Sequence, residues 1–261
     1  MHKAFLSTIY YLLSTILLGC ATEYNIATQR KEFIYYDTEK EVRIGKSIAK
    51  EIEKKYKLLD DPLLIQRVTS IGKRVAAVSD RKDLNYEFNI LDGDEANAFA
   101  LPGGFIYCYK GLLDKVDSDD ELACLLGHEI AHITAKHAIK KLQAVVGYTL
   151  IRIITGVIPE TAQMGKGLDV AFEQILSGFS REDELLADRL GVRYAERAGF
   201  SPYNMIDFLE KLHRIELKKL PRPKSYLKTH PYIPDRIRVV KEEIGERIDF
   251  TDYINIEEKI R

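Results

Sequence analysis

Apolar residues fall at helical spacing from Thr38 to Leu59, where Val42, Ile44, Ile48, Ala49, Ile52 and Tyr56 share one side and charges lie between them. Asp61 and Pro62 read as a cap and a first-turn proline, and Leu63, Ile65, Val68, Ile71, Val75 and Val78 carry a second helix to about Ser79. The period then changes. Tyr86–Leu91, Ala96–Leu101 and Phe105–Tyr109 are short and rich in aromatic and branched residues. They are divided by Asp92-Gly93-Asp94 and Pro102-Gly103-Gly104, which predicts a small antiparallel sheet. Helix resumes after the capping run Asp117–Glu121 and is expected to reach about Leu142. Further helices fit Asp169–Leu176, Arg181–Ala198, Pro202–Leu212 and Pro234–Glu246. The pattern describes one α+β, mainly helical domain over residues 38–261, without internal repeats.

Leu142–Val157 is apolar apart from Gln143, Arg152 and a few small polar residues, so it reads as a buried helix, a flap or a membrane contact. It is shorter than the ~20 residues of a span and holds a cation. At the amino terminus Lys3 precedes the uncharged, mostly apolar run Ala4–Leu18, and Leu17-Leu18-Gly19-Cys20 follows. That is the pattern of a secretory leader. It resembles the lipobox of bacterial lipoproteins, which implies a leader over 1–19, lipid on Cys20, a tether over 20–37 and a periplasm-facing chain in the cell envelope. Ala21, where an Asp would favour retention, implies the outer membrane. Cys108 and Cys124 remain; the compartment permits a disulfide, and Cys124 one turn before His128 also suits a free buried thiol.

Composition narrows the classes of function. With 261 residues, 46% hydrophobic and 30% charged, the chain can build a substantial core. A formal charge of -1 with scattered Lys and Arg offers no basic field, so nucleic acid is not an expected partner.

The chemistry is concentrated in Gly127-His128-Glu129-Ile130-Ala131-His132. Residues four apart share a helix face, so His128 and His132 can present two imidazoles to one zinc ion while Glu129 sits beside it. Zinc lowers the pKa of bound water from about 16 to about 7, and a neighbouring carboxylate is basic enough to take its proton. A third ligand is needed. Glu184 and Asp188 again lie four apart, at the start of a helix opened by Ser180 and Arg181. Glu184 is a candidate ligand and Asp188 a candidate partner for a ligand histidine's other ring nitrogen. The competing explanation is that acids at a helix start complement its dipole, which suits Glu182 and Asp183 better than the more apolar part that follows. His137, five after His132 and about 140° round the same helix, is expected to be exposed.

Four segments together resemble the zinc metallopeptidases grouped with type I CAAX prenyl proteases, HtpX and mitochondrial Oma-type proteases, and in particular their bacterial lipoprotein branch. They are Asn97–Gly104, His128–His132, Ser180–Gly191, and Thr229-His230-Pro231 with Arg236, in the family's order. The resemblance implies a zincin-like (gluzincin) fold holding one Zn2+ on His128, His132 and Glu184. It makes Glu129 the general base, sets Asp188 behind a ligand, and makes Asn97, Ala98, Phe99, Ala100 and Leu101 an edge strand for an extended polypeptide. His230 is left as an oxyanion donor, an occupant of the open metal position, or a packing residue. Arg181 and Arg236 are left as candidate partners of the site carboxylates. The multiple membrane spans of some relatives have no counterpart here, which argues against prenylated substrates. The expected activity is hydrolysis of peptide bonds in unfolded or misassembled envelope proteins. The competing expectation is a binding or chaperone lipoprotein with a structural or autoinhibited zinc site.

Overall fold

Ahead of the first helix, Thr22–Asn25 (β1) and Arg30–Phe33 (β2) pair antiparallel, with Thr22 opposite Phe33 and Tyr24 opposite Lys31. The Asn25 side chain accepts Ala27 N–H at 3.0 Å and closes the turn. Glu23 and Glu32 bind Lys136 and Lys140, each at 2.6 Å, so this hairpin is fastened to the body. Residues 22–33 of the expected tether over 20–37 form this hairpin. The computed structural model describes residues 22–154, 167–218 and 229–246; the leader, Cys20 and residues 155–157 of the apolar stretch lie outside these.

Asp37 accepts Lys40 N–H at 2.7 Å and opens α1, Thr38–Lys55. Asp61 accepts from Leu63 and Leu64 at the start of α2, Pro62–Ala76. Strands β3 (Glu87–Leu91), β4 (Ala98–Ala100) and β5 (Phe105–Tyr109) follow, then a helical turn α3 (Lys110–Leu113). Helices α4 (Asp119–Thr134), α5 (His137–Ile154), α6 (Gly167–Leu176), α7 (Arg181–Arg197), α8 (Asn204–Lys218) and α9 (Ile233–Glu243) complete the described chain.

The three-stranded sheet has the order β3-β5-β4, with β5 parallel to β3 and antiparallel to β4. The expected wholly antiparallel sheet is thus corrected to a mixed one. Every residue of β5 is buried, which puts it in the centre. Both faces are covered, so alternation alone does not specify a strand's neighbour or direction. Ile90, Ala98, Ala100, Ile106 and Cys108 face the main core with α2 and α4. Phe99, Leu101, Phe105 and Tyr107 face Ile48 and Ile52 of α1, Ile139 of α5 and Phe172 of α6. The fold is a mainly helical three-layer arrangement, and β4 lies at the sheet edge beside α4.

Helix α4 is buried at every residue from Glu121 to Thr134. Its Gly127 meets Gly191 of α7 so closely that a Cβ on Gly127 would lie 2.6 Å from Gly191 O. Side-chain-free contact at this crossing brings the backbones together and lets residues one turn away on each helix converge. Helix α4 does not continue to Leu142. Ala135 caps it, Lys136 takes a left-handed φ of 59°, and α5 starts afresh at His137. Leu142 is buried on α5, and no helix among the described residues is long and apolar enough to cross a membrane. Cys108 and Cys124 are free and buried.

Candidate metal centre

The Gly127–Gly191 crossing places His128 and His132 of α4 over Glu184 and Asp188 of α7, and all four are fully buried. Helix α7 is opened by a capping box in which Ser180 and Asp183 exchange hydrogen bonds, fixing the turn that carries Glu184. The loop Thr229–Tyr232 enters α9 through Tyr232 at a left-handed φ of 70° and delivers His230, 1% exposed, to the same point. One donor atom from each of His128, His132, Glu184 and His230 lies within 4.8 Å of all the others.

The hydrogen bonds decide what those atoms carry. His128 Nδ1 lies 2.8 Å from Asp188 Oδ1, so Nδ1–H donates to the carboxylate and Nε2 is the nitrogen turned towards the other three side chains. His230 Nε2 lies 3.3 Å from Ala98 O, and its Nδ1 is turned towards Glu184. His132 Nδ1 lies 2.8 Å from His137 Nδ1 and donates to it, leaving Nε2 bare. These ring nitrogens and the Glu184 carboxylate face one another, with His132 Nε2 3.0 Å from His128 Nε2 and His230 Nδ1 3.1 Å from Glu184 Oε1. Three imidazoles and one carboxylate converge on one point, a set of side chains that can hold a metal cation. Imidazole nitrogens with one carboxylate are the donor types of a catalytic metal site.

Electrostatics agree with that assignment. Burial holds His132 well below the usual histidine range, so it stays neutral. Burial opposes ionisation of Glu184, but His230, His128 and Arg236 outweigh it and hold the carboxyl well below its usual range. The acceptors favour positive charge: burial and Arg236 push His128 down, yet Asp188 and Glu184 prevail and raise it to about 9. Arg236 grips Asp188 through Nε at 2.7 Å and Nη2 at 2.8 Å, and donates through Nη1 to His230 O at 3.2 Å. Arg181 instead binds Asp235 at the surface. Glu129 stands apart: it is fully buried, neither carboxylate oxygen has a hydrogen-bond partner in the protein, and burial raises its pKa. His230 Nε2 lies 3.7 Å from its Oε1.

His137 is the main correction at the site. Expected at the surface, it is 3% exposed, because the break at Lys136 turns it back towards His132 instead of carrying it round α4. Its Nε2 lies 3.3 Å from Asp183 Oδ1, and burial keeps the ring neutral, its pKa pushed down to about 4. Asp183, His137 and His132 thus form a line leading to the metal position. Phe179 stacks on His132 with ring centroids 4.2 Å apart. Neither neighbour carried a local signal beyond its place in the chain. The orienting bond predicts that His137→Ala weakens metal binding about 10–100-fold. Competition with a chelating zinc indicator measures this, and unchanged affinity would refute the link.

Of the expected substrate strand, Ala98–Ala100 form β4 and Asn97 and Leu101 flank it. Asn97 O accepts from Tyr109 N and Leu101 N donates to Phe105 O, so the alternate residues Ala98 and Ala100 turn their backbone groups to the outer edge. The chain itself meets that edge: Ala98 O receives His230, and Thr229 Oγ1 donates to Asn97 Oδ1 at 2.8 Å.

A helix bearing paired histidines with a glutamate beside the first of them, crossed by a helix bearing a carboxylate, defines the zincin-like metallopeptidase class. The chain belongs to Peptidase family M48, whose sequence profile matches residues 62–244. It is 30% identical over 207 residues to the beta-barrel assembly-enhancing protease of Escherichia coli (strain K12), covering 76% of this chain and 42% of that protein. The Yersinia pestis protein of that name is 29% identical over 206 residues, with the same coverage. The mitochondrial metalloendopeptidase OMA1 of Schizosaccharomyces pombe is 28% identical over 228 residues, covering 86% of this chain and 67% of that protein. The chain thus spans well under half the length of the first two relatives.

Proposed function

We propose that the protein is a zinc-dependent endopeptidase of the cell envelope that cleaves unfolded or misassembled polypeptides, anchored by lipid on Cys20 and facing the periplasm, in the outer membrane. The observation that carries this reading is the convergence of donor atoms from His128, His132 and Glu184 beside Glu129, a buried carboxylate without a hydrogen-bond partner. A purely structural metal site has no use for that carboxylate. The β-barrel assembly named in the relatives supports substrates of the same kind.

Zinc at this position supplies the Lewis-acid charge that acidifies a water and polarises a carbonyl. Asp188 and His137 hold the protons of His128 and His132 on Nδ1, so both rings offer Nε2 to the metal. Glu129 accepts a proton on Oε1 or Oε2 and later returns it to the leaving amine. Ala98 and Ala100 hold an extended substrate through main-chain hydrogen bonds, which requires an unfolded segment and little particular sequence. His230 takes the place of a fourth donor and also covers Ala98, so Thr229–Pro231 must move before a substrate can lie along β4.

Two outcomes test this assignment. Protein purified without chelator carries about one zinc per chain, and Glu184→Ala loses it; a metal-free wild-type chain by elemental analysis would sink the reading. His230→Ala raises the rate on unfolded casein roughly tenfold if nine in ten molecules are closed. A fall in rate would instead make His230 an oxyanion donor.

A further inference from the structure

Four of the nine large apolar side chains exposed among the described residues belong to one short segment: Tyr24, Ile26, Phe33 and Tyr35, each more than half exposed. The register puts Tyr24 and Phe33 on one face. Thr22, Tyr24, Lys31 and Phe33 point to one face of the hairpin, and Glu23, Asn25 and Glu32 to the other. The second face is occupied, since Glu23 and Glu32 bind Lys136 and Lys140 and the Gln143 side chain bonds Phe33 O and Tyr35 N. The first face carries two aromatic rings and a lysine, and none of its four positions is acidic. Tyr35 continues it, with Lys40 Nζ 5.0 Å from its ring centre.

We propose that this face docks on a lipid bilayer with anionic headgroups. Tyr and Phe rings beside Lys suit the boundary between headgroups and acyl chains, where an aromatic body and a polar or charged tip are both satisfied. Position in the chain supports the same occupant, a point that rests on the reading of Cys20 as the lipid-bearing residue. From Cys20 to Thr22 the backbone reaches at most about 7 Å, so an acylated Cys20 holds β1 at headgroup depth. The hairpin then sets the orientation of the body, which a lipid on a loose tether would leave free.

The chain contains no tryptophan, so Phe33→Trp places a single fluorescent reporter on the face. The full chain carrying F33W is reconstituted in phosphatidylethanolamine and phosphatidylglycerol vesicles, with and without acyl-brominated lipid. Most of its emission is quenched by the brominated lipid, whereas Tyr203→Trp, an exposed aromatic site away from the hairpin, keeps its emission. Equal emission from both variants overturns the proposal. Blue-shifted but unquenched F33W emission also overturns it, in favour of a protein partner or a second copy covering the face. Palmitate labelling of the same preparations keeps the anchor separate. Label on Cys20 without quenching refutes the docking face alone, and quenching without label refutes the lipid anchor while the docking face stands.

Discussion

Glu129→Gln is expected to reduce cleavage of unfolded casein about 10²–10⁴-fold while zinc content stays the same. The two halves of this result have separate causes. The carboxylate oxygens of Glu129 are not among the atoms that converge on the metal position, so the amide leaves the donor set intact. The amide cannot accept a proton, so the step assigned to Glu129 is lost. Stability is expected to hold or rise slightly, because the substitution removes an ionisable group that burial already disfavours as an anion. Casein cleavage, elemental analysis and a thermal melt on one preparation give all three readings. Undiminished cleavage would remove Glu129 from the mechanism, and loss of zinc would show that it holds the metal.

Arg236→Met has the largest expected effect on the fold. Arg236 and Asp188 are both fully buried and joined by two short bonds, and Nη1 of the same guanidinium lies 3.5 Å from Glu184. Removing the cation leaves Asp188 charged in the interior with only His128 to offset it. Breaking one side of such a pair costs about 3–5 kcal/mol, which lowers the melting midpoint by roughly 6–20 °C for a chain of this size. Calorimetry or circular dichroism measures the shift. A drop under about 2 °C would show that the pair is not a net support. Adding Asp188→Asn to the variant is expected to recover part of the loss, since the stranded charge is then gone.

The donors placed together here were legible wherever a rule of local geometry applied. His128 with His132, and Glu184 with Asp188, are pairs four apart on helices whose caps are written in Ser118 and Ser180. The burial of Cys124 followed from its place one turn before His128. His137 lies where one continuous helix would not carry it, because the helix breaks at Lys136. Lys136 adopts a left-handed conformation that glycine or asparagine normally announces, and a lysine gives no such signal. The mixed sheet escaped for another reason: strands covered on both faces show no polar side from which direction or order follows. The amino-terminal hairpin carries its two aromatic rings on one face and its acids on the other, but four-residue strands are too short to separate that alternation from a linker. His230 reaches the site from 102 residues beyond His128, and only the tertiary path of the chain brings it there.

The contact between Gly127 and Gly191 has an architectural consequence. Two helices that meet backbone to backbone have a spacing fixed by main-chain atoms, which every sequence shares. Core side chains around them can be exchanged without altering how far apart the donors stand, whereas one methyl group at either glycine would wedge the pair open and detune the metal position. The instrument is calibrated by what those two positions lack.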